Sequence, residues 1–210
     1  KRNAGLAREA AGDRAYVLGD IGPTGELLEP FGNMSLDQML EAFTLQARAL
    51  EDAGVDGFII ETMTDPNELG AAARAVRSLS EKPLFASMTF NATPQGFRTV
   101  MGTTVAQAVE TMRGEGVDVI GTNCTLAPDG MVALVKELCE HARRPVFAQP
   151  NAGNPVPEGN RVVYPPIENL EKHIEGLLDA GAGVIGGCCG TDPQYIALAR
   201  AIADRRNGGA

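Results

Sequence analysis

Six short, nearly continuous apolar runs recur along the chain, and each is followed by a loop and a longer segment with helical spacing. The runs are AYVLGD (15–20), DGFIIE (56–61), PLFASMTF (83–90), DVIGTN (118–123), PVFAQP (145–150) and GVIGGC (183–188). Apolar residues that do not alternate with polar ones mark strands covered on both faces of a parallel sheet. Helices are predicted near 36–53, 66–80, 104–115, 128–142, 167–180 and 192–205, with a short one over 1–11 that stops at Gly12. Ser35, Thr64-Asp65-Pro66, Thr103-Thr104, Pro128-Asp129 and Thr191-Asp192-Pro193 supply capping or first-turn chemistry. Gly54, Gly116 and Gly181 supply stops.

Strands alternating with helices predict an α/β fold with parallel strands. An open doubly wound sheet and a piece of an eight-stranded barrel both fit that alternation. The first run is followed by GDIGPTGE, which matches neither phosphate-binding glycine loop of the open-sheet proteins. Chemically capable residues instead follow several different runs, as on the active face of a barrel. The expectation is therefore a TIM-type (β/α)8 barrel with six βα units present and its first two strands absent. It is read as one domain over 1–210, N-terminally incomplete because it opens on what looks like the tail of a helix, with two sheet edges exposed.

A net charge of -9 argues against nucleic acid or an anionic membrane surface as partner. No run of 18 apolar residues and no basic-then-apolar leader is present, so a cytoplasmic location is expected. In that compartment the four cysteines stay reduced, which directs attention to metal binding or catalysis.

Cys124 directly follows DVIGTN, and Cys188 and Cys189 close GVIGG in the same way. In a parallel barrel all strand carboxyl ends face one side, so these three thiols can converge. Neighbouring strand residues point to opposite faces, but Gly186, Gly187 and Gly190 free the backbone to turn both sulfurs inward. Three thiolates leave one position of tetrahedral zinc open, the catalytic arrangement. Buried small hydrophobes or a vicinal disulfide are the competing uses of such cysteines. Cys139 lies mid-helix and reads as packing, while His141 and His173 read as helix-surface residues rather than ligands. The long loop over 151–166, rich in Pro, Gly and Asn, reads as a functional loop over the site.

The segments GTNC (121–124), PNAGNP (150–155) and GGCCGTDPQYI (186–196) resemble the homocysteine S-methyltransferase family, nearest to the homocysteine-binding zinc module of cobalamin-dependent methionine synthase. GDIGPTGEL (19–27) and DGFIIETMTD (56–65) extend the resemblance over essentially the whole chain. It implies Zn2+ held by Cys124, Cys188 and Cys189, and methyl transfer to the thiolate of homocysteine to give methionine. Zinc deprotonates a coordinating thiol, and three protein thiolates over-neutralise the metal, which keeps the substrate sulfur electron-rich. Glu61 matches the carboxylate that receives the substrate ammonium, with a cap or ion pair for the following helix as the competing use. Asn123 is a candidate to steady the thiolate or the substrate, and Asn151 a substrate or supporting contact with turn formation as its alternative. Asp20 and Thr24 are set aside as turn chemistry. No residue is assigned as a general acid, base or nucleophile.

The family's DGxxGT turn after its first strand is absent, as is the DxHxxG segment of cobalamin-binding modules. Methylcobalamin on a corrinoid-binding domain or separate protein is the donor the resemblance implies, with betaine, S-methylmethionine or S-adenosylmethionine as donors for relatives. Two alternatives stand beside the leading function: a methyltransferase for another thiol or selenol acceptor, and a non-catalytic zinc scaffold that docks a corrinoid protein.

Overall fold

The computed structural model describes residues 1–208. Helix α1 (Arg2–Ala11) leads into strand β1 (Leu18–Ile21), α2 (Leu36–Glu51), β2 (Gly57–Met63), α3 (Pro66–Arg77) and β3 (Leu84–Met88). A hairpin, β4 (Asn91–Thr93) and β5 (Gly96–Arg98), precedes α4 (Val105–Gly114), β6 (Val119–Asn123), α5 (Pro128–Ala142) and β7 (Val146–Gln149). A second hairpin, β8 (Val156–Glu158) and β9 (Arg161–Val163), precedes α6 (Leu170–Asp179), β10 (Val184–Ile185) and α7 (Pro193–Arg206).

The six long-range strands form one parallel sheet in the order β1-β2-β3-β6-β7-β10. Their spatial order is their chain order, without the reversal that defines a doubly wound sheet. Among the described residues β1 and β10 are its edges and do not pair with each other, an arrangement consistent with part of a TIM-type barrel.

The predicted caps carry the helix starts. Ser35 and Gln38 form a reciprocal capping box, as do Thr104 and Gln107. Asp65 and Asp192 cap helices that open on Pro66 and Pro193. The core lies between sheet and helices: Phe58 and Ile60 on one face of β2 are buried with Met39 and Phe43 of α2 and Leu69 and Val76 of α3. On the other face Ile59 and Glu61 are half-buried.

That second face is built in layers, as in a barrel interior. Phe85 and Phe147 meet edge to face with ring centroids 5.7 Å apart. Gly121 makes room between them, since a Cβ there would lie 2.3 Å from the Phe147 ring. Two residues further along the same strands come Ser87, Asn123 and Gln149, so the aromatic layer floors a polar one.

Three expectations differ in detail. The run over 183–188 keeps strand pairing only through Val184–Ile185, because Gly186 and Gly187 carry the chain out of the ladder before Cys188. The segment over 167–180 becomes helical only from Leu170. The loop over 151–166 contains a hairpin whose two-residue turn is Gly159-Asn160.

Candidate metal centre

At the carboxyl end of β6, Cys124 and Thr125 both take the left-handed conformation, with φ of 64° and 60°. Two successive non-glycine residues in that region are costly and are retained where surrounding structure fixes them. The fixing bonds are Cys124 N–H to the Gln149 carbonyl at 3.0 Å and Leu126 N–H to the Cys124 carbonyl at 2.7 Å. On the other side, Cys188 N–H donates to the Pro150 carbonyl at 2.9 Å, and Ala152 N–H donates to the Cys189 carbonyl at 2.9 Å. The 149–152 segment thus laces the two cysteine-bearing turns together.

The three thiols converge. Cys124 Sγ lies 3.8 Å from Cys189 Sγ, which lies 4.0 Å from Cys188 Sγ, and all three sulfurs sit within 4.8 Å of one another. Metal–sulfur bonds of about 2.3 Å at tetrahedral angles put neighbouring sulfurs about 3.8 Å apart. The donor set and spacing fit a metal ion bound by three thiolates. Burial, followed by the charge of Cys124, pushes the Cys188 thiol up to about 12, while the Asn123 side chain opposes that shift. Without a cation the Cys188 thiol resists ionisation; a bound cation reverses that preference.

Asn123 is fully buried and its carboxamide is saturated. Its Oδ1 accepts from Thr62 N–H at 2.8 Å and from Ser87 Oγ at 2.8 Å. Its Nδ2 donates to Thr62 Oγ1 at 2.8 Å and to Cys188 Sγ at 3.7 Å. Asn123 is thus a hydrogen-bond partner of the Cys188 thiol. Asn151 is 6% exposed and its Oδ1 has no protein partner.

Glu61 ends the half-buried face of β2, beyond Ile59. Burial, and then the charge of Asp20, push its carboxyl above the usual range, while a hydrogen bond with the Gln149 side chain pulls the other way. Burial likewise raises the Asp20 carboxyl. The turn reading of Asp20 therefore fails: it lies in β1, paired with Ile59, and faces Glu61 electrostatically. Thr24 has a structural part, donating its N–H and its hydroxyl to Glu68 Oε1, both at 2.7 Å.

Nothing in the sequence singles out Thr62, Ser87, Gln149 or Tyr164. Tyr164 is half-buried, and partial burial followed by the nearby Cys189 thiol pushes its phenol upward. Its neighbours in VVYPP give no chemical signal. Cys139 stands apart from the cluster, packed against Gly181.

The sequence profile of the family described as homocysteine S-methyltransferase matches residues 1–203. The chain belongs to the homocysteine S-methyltransferase family. Within that family it is 32% identical to the methionine synthases of Mycobacterium leprae and Mycobacterium tuberculosis, over 100% and 97% of this chain. It spans 18% of the length of each. The homocysteine methyltransferase MmuM from Escherichia coli superposes in its apo form with a TM-score of 0.72 at 25% identity, over 96% of this chain and 67% of that one. The metallated form of the same enzyme gives 0.70 at 26% identity, over 95% of this chain and 66% of that one.

Proposed function

We propose that this chain is the thiol-activating barrel of a zinc-dependent homocysteine S-methyltransferase. The observation that carries the reading is the sulfur triangle, with edges of 3.8 and 4.0 Å between Cys124, Cys189 and Cys188. Those edges suit zinc, and three protein sulfurs leave its fourth position for a substrate thiol. When bound, zinc supplies the Lewis acidity that makes a thiol a thiolate at neutral pH. The similarity to a homocysteine methyltransferase that also exists in a metallated form supports this choice.

The chain's own residues orient the acceptor. Glu61 receives the ammonium group, and its raised carboxyl gains a cation that offsets burial and the charge of Asp20. The unpartnered Oδ1 of Asn151 offers a further acceptor beside the segment that binds Cys189. Asn123 steadies Cys188. The floor of Phe85 and Phe147 closes the site beneath Asn123 and Gln149. In the transfer, the homocysteine sulfur forms a bond to the methyl carbon while the bond from carbon to donor breaks. The electron pair of the broken bond leaves with the donor, and the thiol proton has already gone to solvent.

The donor is proposed to be methylcobalamin carried by a corrinoid-binding domain or protein, in keeping with the 32% identity to two methionine synthases. The reduced thiols the site requires suit the cytosol, and no helix among the described residues is long and apolar enough to cross a membrane. The test is single-turnover transfer from free methylcobalamin to homocysteine by the zinc-loaded chain. Stoichiometric methionine supports the reading. Zinc uptake without homocysteine binding assigns the chain to the scaffold class, and transfer to another thiol or selenol only assigns it a different acceptor.

A further inference from the structure

Thr62 is a β-branched residue with a φ of 65°. Such a residue in the left-handed region is a genuine outlier and persists only where its surroundings over-determine it. It sits in a break of register: Ile60 pairs with Ala86 and Met63 with Met88, so Glu61 and Thr62 together oppose Ser87 alone. That is a β-bulge, a device that re-aims side chains beside sites. Its consequence here is that Glu61 and Thr62 are both half-buried while Ile60 and Met63 on either side are fully buried. Both backbone and side chain of Thr62 are gripped by one group. Thr62 N–H donates to Asn123 Oδ1, and Asn123 Nδ2 donates to Thr62 Oγ1, each at 2.8 Å. The remaining Nδ2 proton of that carboxamide reaches Cys188 Sγ at 3.7 Å.

We propose that Thr62 is a positioning residue for the transfer: the bulge it forms and its hydroxyl, both held by Asn123, fix the Glu61 carboxylate relative to the Cys188 sulfur. The inference deepens the proposed function and rests on it for the identity of the ligands. It assigns Thr62 a task that its own contacts do not include. The amino end of the acceptor is bound by the residue before Thr62 in the chain, and the sulfur end lies beside a thiolate one hydrogen bond beyond Asn123. A rigid Thr62–Asn123 unit sets the span between them, and therefore which aminothiol fits. A carboxamide with four partners is an effective relay, because it cannot turn without breaking several bonds at once.

The test compares Thr62→Val, which keeps the branched shape and removes the acceptor, with Thr62→Ser, which keeps the acceptor. In the reduced, metal-free chain, the Asn123 side-chain amide and Cys188 Cβ NMR signals are expected to shift together in Thr62→Val and to return in Thr62→Ser. In the cobalt-substituted chain, the sulfur-to-cobalt charge-transfer band is expected to shift in Thr62→Val. The preference for homocysteine over 4-mercaptobutyrate, which lacks the amino group, should fall about tenfold, the weight of one hydrogen bond. A merely structural role would lower the melting temperature and weaken both thiols alike. The proposal is overturned if Thr62→Val folds and leaves the Cys188 signal or the thiol preference unchanged. If the unsubstituted chain takes up no cobalt, the proposed function has failed instead, and the metal-free signals alone decide: without a joint shift of Asn123 and Cys188, the relay does not exist.

Discussion

The ring of Tyr164 lies directly against Gly190, where an added Cβ would stand 2.3 Å from the ring's Cγ. Gly190 also has a φ of +79°, so this position excludes a side chain on two independent grounds. The contact joins the hairpin-bearing loop to the turn that presents Cys188 and Cys189. Gly190→Ala should therefore displace Tyr164 and destabilise the chain by about 1–3 kcal/mol. Chemical denaturation measures the stability loss, and chelator competition should show weaker metal binding in the same variant. Tyr164→Ala removes the clash partner, so adding it to Gly190→Ala should recover part of the loss.

Serine at Cys124, Cys188 or Cys189 should each abolish stoichiometric zinc uptake. The affinity loss should exceed the ~10–100-fold typical of removing a ligand's hydrogen-bond partner. Cys139→Ala should leave zinc content unchanged and cost about 1 kcal/mol from lost packing against Gly181. Metal analysis of the four purified variants separates the two groups.

Glu61 carries a pH signature. Its carboxyl is raised in the folded chain, by burial and then by Asp20, so folding takes up a proton. The folded state consequently loses stability as pH rises from the ordinary glutamate value through the raised one. Ligand-free Glu61→Gln should melt higher than the parent chain at pH 7, with the difference vanishing as pH falls below that window. The same variant should bind homocysteine ~10–100-fold more weakly, the weight of a hydrogen bond to a charged group. Thermal melts across pH and a binding titration check the two halves.

The sequence exposed the elements that carry the cysteines because apolar runs and strand ends are local features. DVIGTN ends where β6 ends, and the cap residues Ser35, Asp65, Thr104 and Asp192 all act at the helix starts they mark. What stayed hidden depends on distant partners. Nothing in FIIETMT announces that Thr62 is bulged and left-handed, because the cause is Asn123, 61 positions away. The glycine-rich neighbours of Asp20 signal only a turn, although its place in β1 beside β2 puts it in the field of Glu61. The β8–β9 hairpin was legible in principle, since Gly159-Asn160 between VPE and RVV is a two-residue turn signal. Tyr164 follows that hairpin, and only its folding brings the phenol to Cys189.

Cys124, Cys188 and Cys189 are proposed to hold zinc with one position free for a substrate thiol. X-ray absorption at the zinc edge of the reduced chain, with and without homocysteine, tests it most directly. The expected shell is three sulfurs and one lighter ligand, changing to four sulfurs when homocysteine is added. A reduced chain that takes up no zinc, or a zinc shell that homocysteine leaves unchanged, would contradict it.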